Sequence, residues 1–363
     1  MAVSSVVSPA KLILMGEHAV VYGRPALIAT IDLWLQVRME TRPESGVHLD
    51  LVEMGHRETT GWSDLRAYAK DVRQRWKAFV EAPGTGSFAD VTGDDPAHLV
   101  KVALGEAARR WEEVASLALT VTVRSEQPIG AGFGSSAALG AATVRALASL
   151  RGMAPSPEDL YALVLDIERR QHGTPSGIDP AAVLHGGLLW AEPTDDGLDS
   201  ASLPPPPLPS DTLRVFQTGT PNESTGTVVD AVRSQRDADP EAFYALLDRM
   251  EVATRTVRDA LTDDAPSPAT LRRTIRQFEE GLETMGVVPH AVQELVRSIE
   301  NNGGAAKISG AGALTGPGAG PLLVYHPDPD AALWDDLEHL SELDVRLGVE
   351  GVHEATVHAQ SHR

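Results

Sequence analysis

Residues 128–140 read Pro-Ile-Gly-Ala-Gly-Phe-Gly-Ser-Ser-Ala-Ala-Leu-Gly, and this first glycine loop says more about the fold than any other stretch of the chain. Its three alternate glycines can bring bare backbone N–H groups close to an anion. Residues 117–124 before the loop alternate and are rich in β-branched side chains, which predicts a strand. Residues 137–150 after it predict a helix. A strand, a glycine loop and a helix N-terminus together favour phosphate binding through free amides and the helix dipole.

The loop differs from the two commonest phosphate-binding loops. No Gly-Lys-Ser/Thr follows at the P-loop spacing, and the alternate glycines do not fit the dinucleotide-binding fingerprint. The same small residues could instead let a helix pack tightly onto a sheet. On the loop alone, phosphate binding and tight packing are both open.

Composition bounds the class of protein. The chain has 363 residues, long enough for two domains of ordinary size, and is 42% hydrophobic and 23% charged, which is typical of a soluble globular protein. It contains no cysteine, so disulfides and thiolate metal sites are excluded. A basic, then apolar leader is lacking at the start, and no apolar run of about 18 residues occurs, so we expect a cytoplasmic protein.

The net charge of −20 limits the partners. It arises from 51 acidic and 31 basic residues, and such a field repels nucleic acid and anionic membranes. Neither is expected as a partner, and a homodimer is compatible with the sequence. Any phosphate site must be built locally, from backbone amides, a few cations and Mg²⁺.

The rest of the chain predicts a mixed α and β protein. Strand-like runs begin at 6 and 26, and further strands are predicted at 213–218, 305–309, 321–326 and 352–359. Helices are predicted from 95, over 156–170, and at 223–234, 240–262, 268–283 and 289–301. The proline-rich stretch at 193–212 predicts a linker, which would divide the chain into domains at 1–200 and 201–363.

Lys11 lies inside an apolar run of a chain with only five lysines. A half-buried lysine needs a partner, and a phosphate or a carboxylate would supply one. Alternatively, the side chain could reach solvent from a strand edge.

Glu168 and Asp179 form the next candidate group. Ser156, Pro157 and Asp159 predict the start of a helix that carries Glu168 near its end, and Asp179 follows in a turn rich in glycine and proline. A carboxylate on a rigid helix can hold Mg²⁺, and a second can accept a hydroxyl proton. Asp179 could also be an ordinary turn or cap aspartate.

A second glycine-rich stretch runs from 307 to 320, between two predicted strands. It could close over a ligand or connect a hairpin.

Together these segments resemble the GHMP kinases, the family of galacto-, homoserine, mevalonate and phosphomevalonate kinases. The resemblance rests on three motifs in the family's order, at 9–21, 128–138 and 307–312. Within the family, the stretches at 16–26 and 168–179 are most similar to the branch that acts on mevalonate.

The resemblance implies an α+β fold in two domains, the GHMP kinase fold. The N-terminal domain would be like ribosomal protein S5 domain 2, the C-terminal domain would be ferredoxin-like, and the active site would lie in the cleft between them. ATP with Mg²⁺ would phosphorylate the 5-hydroxyl of (R)-mevalonate in isoprenoid precursor synthesis. The alternatives are a phosphomevalonate kinase, a mevalonate 3-kinase, a diphosphomevalonate decarboxylase or a non-catalytic nucleotide-binding relative.

The resemblance also implies a role for each matching residue. Asp179 would deprotonate the attacking hydroxyl and Lys11 would lie against both, while Ser136 and Glu168 would hold Mg²⁺. Backbone amides around the ATP phosphates would come from Gly130, Ala131, Gly132, Phe133, Gly134, Ser135 and Ser136. Substrate contacts would come from Glu17, His18, Thr225, Ser309, Gly310, Ala311 and Gly312.

The third motif departs from the family. Many relatives continue it with a run of glycines, whereas residues 313–320 here read Ala-Leu-Thr-Gly-Pro-Gly-Ala-Gly. We therefore expect a longer loop and an altered acceptor pocket.

Overall fold

Two β-sheets form the framework of the protein, and helices pack against both. The computed structural model describes residues 2–82, 88–128, 132–195, 197–205, 210–263 and 267–355.

The strands, in chain order, are β1 (Val3–Met15), β2 (Ala26–Thr41), β3 (Val47–Leu51), β4 (His56–Thr60), β5 (Leu119–Ser125), β6 (Leu188–Thr194), β7 (Gly197–Leu203), β8 (Leu213–Gln217), β9 (Ala305–Ile308), β10 (Pro321–Tyr325), β11 (Ser341–Leu343) and β12 (His353–Glu354). The helices are α1 (Trp62–Glu81), α2 (Ala89–Thr92), α3 (His98–Arg110), α4 (Ser135–Leu150), α5 (Pro157–His172), α6 (Ile178–His185), α7 (Thr225–Ala238), α8 (Pro240–Thr262), α9 (Pro268–Thr284), α10 (His290–Asn301) and α11 (Leu333–Asp336).

The larger sheet has eight strands in the order β12-β1-β2-β5-β3-β4, with β6 pairing with β2 and β7 pairing with β6. The smaller sheet has the order β11-β8-β10-β9, so β9 lies at its edge. All pairings in the smaller sheet are antiparallel. The mixture of helices with largely antiparallel sheets confirms the predicted α+β class.

Helix α4 packs on β1 and β2 directly behind the first glycine loop. Its inward positions are small, and Gly140 allows close approach to Ile167 and Val164 of α5. Tight packing and phosphate binding are therefore compatible roles for the same residues: the small side chains seat the helix, and the loop stays at its amino end.

Helix α5 begins as the sequence predicts. The Ser156 hydroxyl accepts the Asp159 backbone N–H at 3.1 Å, and Pro157 occupies the first helical position. An N-cap of this kind satisfies one of the free amides at the start of a helix.

One hydrophobic cluster runs between the two sheets, while a second packs the larger sheet against α1, α3, α4 and α5. Leu12, Leu27 and Phe133 from the first half of the chain pack in the same cluster as Val287 and Ile308 from the second half. Strand β12 also returns the C-terminal segment to β1. The domain division at 1–200 and 201–363 stays a prediction.

Several segments differ from the sequence-based expectation, among them strand β6 and helix α11, for which no element was predicted. Residues 197–203 of the predicted linker form strand β7, and the β3–β4 hairpin was not predicted at all. Both β4 and β7 are edge strands with polar and exposed residues, so they lack the apolar alternation that marks a strand. Asp179 lies in the first turn of α6 rather than in an isolated turn, and Pro180 is tolerated there because its missing N–H needs no partner.

Candidate active site

Lys11 and Asp179 form an ion pair at the amino end of α4. Lys11 projects from β1 and is 5% exposed, and its Nζ lies 3.2 Å from Asp179 Oδ1. The partner that the sequence required for Lys11 is thus a carboxylate, which Gly177 and the first turn of α6 present to it.

The first glycine loop lies directly over this pair. The Lys11 backbone N–H donates to Phe133 O at 2.9 Å, which fixes the loop to β1. Gly134 has φ +75°, and a Cβ there would lie 2.9 Å from Lys11 Cγ and 3.5 Å from Asp179 Oδ2. Glycine is therefore required at 134 both by the backbone conformation and by the approach of Lys11. Gly130 and Ala131 lie outside the described residues.

Glu168 is the buried carboxylate of the site. It lies on α5 and is 1% exposed, and the Ser136 hydroxyl donates a hydrogen bond to it. Burial, together with the negative charge of Asp179, raises the pKa of Glu168 to about 8. Its Oε1 has no hydrogen-bond partner among the residues that the structure describes.

His172 adds a side chain that the sequence analysis did not single out. Its Nε2 lies 3.0 Å from Ser136 Oγ and 3.9 Å from Glu168 Oε2. The His172 side chain is about half exposed, with 48% of its surface accessible. The signal was its place inside the 168–179 motif, four residues after Glu168 on the same helix face.

The second glycine loop faces the first. Gly310 has φ +97°, and a Cβ there would lie 4.0 Å from the Cα of Gly132. Ser309 is buried, and its hydroxyl donates to Ile13 O at 2.9 Å. The two motifs therefore meet across one narrow cleft although they lie far apart in the sequence.

His18 is held in a strained conformation against the second loop. Of the described residues, it is the one non-glycine residue with positive φ, at 56°. Such a conformation costs about 1–3 kcal/mol and persists when surrounding contacts impose it. Its Nε2 lies 2.9 Å from Ala311 O, and burial lowers the pKa of the ring.

Glu17 is buried rather than open to the cleft. It is 1% exposed and pairs with the ammonium of Lys307, which is 0% exposed on β9. Burial raises the pKa of Glu17, and Lys307 opposes that shift. The predicted substrate contact of Glu17 stays a prediction. Lys307 was missed as a separate site residue, although a lysine in an apolar strand is the same signal that singled out Lys11.

Thr225 lies at the amino end of α7, on the far side of the cleft. The helix is capped by Ser224, whose hydroxyl accepts the Thr227 backbone N–H at 3.2 Å. The cleft is lined by Gly132, Thr220, Pro221, Glu223, Ser224, Thr225, Ser309, Gly310, Ala311, Gly312, Ala319, Gly320 and Pro321.

Glu223 anchors the unusual continuation of the second loop. Its carboxylate accepts the Leu314 backbone N–H at 3.1 Å and the Thr315 hydroxyl. These bonds lower the pKa of Glu223. Residues 313–320 thus fold back on the start of α7.

Ser136 and Glu168 fit a hard divalent cation. They offer a hydroxyl and a carboxylate side by side, and such oxygen donors are the ligands that Mg²⁺ takes. Among the described residues Glu168 Oε1 has no hydrogen-bond partner, which leaves one carboxylate oxygen able to bind a cation. The donor set therefore matches the predicted Mg²⁺ site.

Within the described parts of the chain, no helix combines the length and the apolar character needed to cross a bilayer.

Comparison with known proteins places this geometry among kinases. Residues 98–187 match the family model for the GHMP kinases N terminal domain. The chain is 31% identical to a mevalonate kinase of Thermococcus sibiricus, over 88% of each chain. Its fold is similar to that of the Methanococcus jannaschii mevalonate kinase (TM-score 0.71, 17% identity, 98% of this chain and 99% of the other). It is also similar to that of L. major mevalonate kinase in complex with R-mevalonate (TM-score 0.62, 21% identity, 93% and 89%).

Proposed function

The chain belongs to the GHMP kinase family and is a kinase, and from this premise we propose that it transfers the γ-phosphoryl group of ATP to the 5-hydroxyl of (R)-mevalonate. The observation that carries the proposal is the Lys11–Asp179 pair, at 3.2 Å, lying beneath a glycine loop and beside Ser136 and Glu168. Phosphoryl transfer requires positioning and charge stabilisation more than covalent chemistry, and these residues can supply both.

Asp179 is the proposed base. Its carboxylate is partly open, with 27% of the side chain exposed, so an acceptor hydroxyl can reach it. The Asp179 carboxylate would accept a hydrogen bond from the hydroxyl and so orient it. The carboxylate would then take the proton as the bond to phosphorus forms. Lys11 keeps the carboxylate in place and presents a positive charge to the developing alkoxide.

We propose that the first glycine loop binds the donor phosphates. The backbone amides of Gly132 to Ser136, at the amino end of α4, would donate to them. Ser136 and Glu168 would hold Mg²⁺, which, when bound, neutralises charge on the phosphates. His172 holds the Ser136 hydroxyl at 3.0 Å and so keeps it beside Glu168.

The acceptor end favours a substrate without a phosphate group. Among the described residues that line the cleft, Glu223 is the one with a charged side chain, and its carboxylate is engaged by the 313–320 loop. A phosphorylated acceptor would bring two or more negative charges to this part of the cleft, whose described lining holds no lysine or arginine, while Lys11 of the neighbouring ion pair is already engaged by Asp179. A small hydroxy acid fits better, with its carboxylate near the amino end of α7 and polar groups of Ser309 and Thr225 around it. R-mevalonate, the ligand in the complex of the L. major enzyme, is a hydroxy acid of this kind.

Two variants test the catalytic assignment. Asp179→Asn and Lys11→Met should each lower kcat by about 10²- to 10⁴-fold, as expected when a general base or its charged partner is removed. ADP release measured under saturating ATP and mevalonate gives the rates, and circular dichroism checks that both variants fold. Near-wild-type turnover of Asp179→Asn would exclude it as the base.

A substrate panel tests the acceptor. The wild-type enzyme is incubated with ATP, Mg²⁺ and, separately, mevalonate, phosphomevalonate and diphosphomevalonate, and phosphorus NMR identifies each product. We expect a new phosphate monoester from mevalonate alone. A product phosphorylated at the 3-hydroxyl, a diphosphate or a decarboxylated product would select one of the related activities instead.

A further inference from the structure

A buried cluster of one lysine and two glutamates joins the two sides of the cleft. Lys307 on β9, Glu17 in the β1–β2 connection and Glu279 on α9 are 0%, 1% and 0% exposed. The Lys307 ammonium pairs with Glu17 Oε1 and donates to Ile308 O at 2.7 Å. Glu279 Oε2 accepts the Ile308 backbone N–H at 3.1 Å, a donor that the edge strand cannot pair within its sheet. The cluster thus ties β9 to both neighbouring segments.

Stability alone does not account for such a cluster. Withdrawing charges from water costs more than a buried ion pair usually returns, and apolar side chains of the same volume often serve as well. Here the cost is higher still, because Glu17 Oε2 and Glu279 Oε1 find no hydrogen-bond partners among the described residues. An ion pair differs from an apolar contact because its attraction depends on the relative placement of the two charged groups. It can therefore hold two segments in one fixed register.

The segments held in this way are the ones that form the acceptor side of the cleft. Glu17 precedes His18, and Lys307 stands two residues before Ser309. Two neutral hydrogen bonds join the same segments: Ser309 Oγ donates to Ile13 O, and His18 Nε2 lies 2.9 Å from Ala311 O. The ion pair lies behind these bonds, in the fully buried layer.

We propose that Lys307, acting through Glu17, is a positioning residue for the acceptor side of the active site. The pair sets the position of residues 309–312 of the second glycine loop relative to His18 and to Gly132 of the first loop. It also helps to impose the strained backbone of His18 by fixing the residue before it. Lys307 itself does not touch the reacting groups, because it is wholly buried. This role rests on the proposed function, since it concerns the acceptor of that reaction.

The test compares a single with a double variant. Lys307→Met leaves Glu17 buried without its partner, and we expect this variant to lose much of its folded population at 37 °C. Glu17→Met/Lys307→Met removes both charges and keeps side chains of similar length, so its Tm should return to within about 5 °C of wild type. The double variant is therefore folded but lacks the directional tie.

Two readouts separate positioning from support of the fold. In the double variant, the KM for mevalonate should rise by about 10- to 100-fold while the KM for ATP changes by less than about threefold. Hydrogen exchange of the 309–312 amides, followed by mass spectrometry, should become faster than in wild type. A double variant with wild-type KM and wild-type exchange would overturn the proposal. A double variant that unfolds like the single variant would overturn it too, because the pair would then serve the fold.

Lys101→Met is the matched control. Lys101 on α3 is also an ion-paired lysine, with Asp95 and Glu58 each at 2.7 Å, and it lies outside the cleft lining. Its loss should lower Tm without changing either KM. An equal rise in the mevalonate KM would show that the rise reports general destabilisation, and the proposal would fall. The exchange measurement needs no acceptor, so it decides the positioning role even if wild-type enzyme leaves mevalonate untouched and the proposed function fails.

Discussion

Replacing Glu279 with glutamine should make the stability of the protein less dependent on pH. Burial raises the pKa of Glu279 to about 8 from the usual 4.5, although Lys307 opposes the shift. Glu283 and Glu17 also act on this carboxyl, and both raise its pKa. At pH 7 the folded protein therefore holds Glu279 protonated. Glutamine has nearly the same shape as that form, and its amide oxygen can still accept the Ile308 backbone N–H.

The sign and size of the effect follow from proton linkage. Between pH 4.5 and pH 8 the folded protein keeps a proton on Glu279 that the unfolded chain has released. The contribution of Glu279 to the free energy of unfolding is therefore largest at the acid end of this window. It falls as the pH rises through the window and levels off above pH 8. One proton corresponds to about 1.4 kcal/mol per pH unit, so wild type should lose about 2–3 kcal/mol more than Glu279→Gln between pH 5 and pH 7.

Urea unfolding of both proteins at pH 5, 6, 7, 8 and 9 measures the difference. Glu168, whose pKa is also raised to about 8, contributes equally to both curves and cancels. Glu338→Gln, at an exposed position, is the control and should track wild type at every pH. Parallel stability curves for wild type and Glu279→Gln would refute the reasoning, as would a variant that becomes less stable than wild type as the pH rises.

Three further substitutions concern Gly134 of the first glycine loop, Gly152 as its control and the N-cap of α5. Gly134→Ala forces an alanine to φ +75° and brings its Cβ to 2.9 Å from Lys11 Cγ, so it should cost about 1–2 kcal/mol and also lower kcat by displacing Lys11. Gly152 has a similar φ of +62°, and a Cβ there would have nothing within 4 Å. Gly152→Ala should therefore lose stability in urea unfolding while its kcat stays unchanged. Equal kcat losses in the two glycine variants would contradict the contact argument. Ser156→Ala removes the N-cap of α5 and should cost about 1 kcal/mol of unfolding free energy with kcat unchanged; a loss below about 0.3 kcal/mol would mean that the cap contributes little.

Several helices and buried strands could be predicted from the sequence because their signals are local, although the buried strands β3 and β6 were missed. Helix α8 occupies Pro240–Thr262, the range that periodicity and the proline at its start predict. The edge strands β4 and β7 could not, because polar residues on an edge carry no apolar alternation and take their strand form from pairing with a neighbour. The family motifs could be recognised for the same reason as the helices. Each motif lies within a short stretch, so its residue types and spacing are visible in the sequence without the fold.

The sequence by itself predicted, through its family motifs, that Lys11, Ser136, Glu168 and Asp179 act at one phosphate site, and it predicted a glycine loop at a helix start. It left the partners of Glu17 and Lys307 open, because these partners are set by long-range packing. The structure places Lys11 against Asp179, as the resemblance implied, and only the tertiary structure showed that Glu17 turns inward to Lys307, 290 residues away in the chain. The physical reason is that residue types and spacing act between near neighbours, whereas burial, and with it the strength and direction of every ion pair, is decided by which distant segments the core brings together.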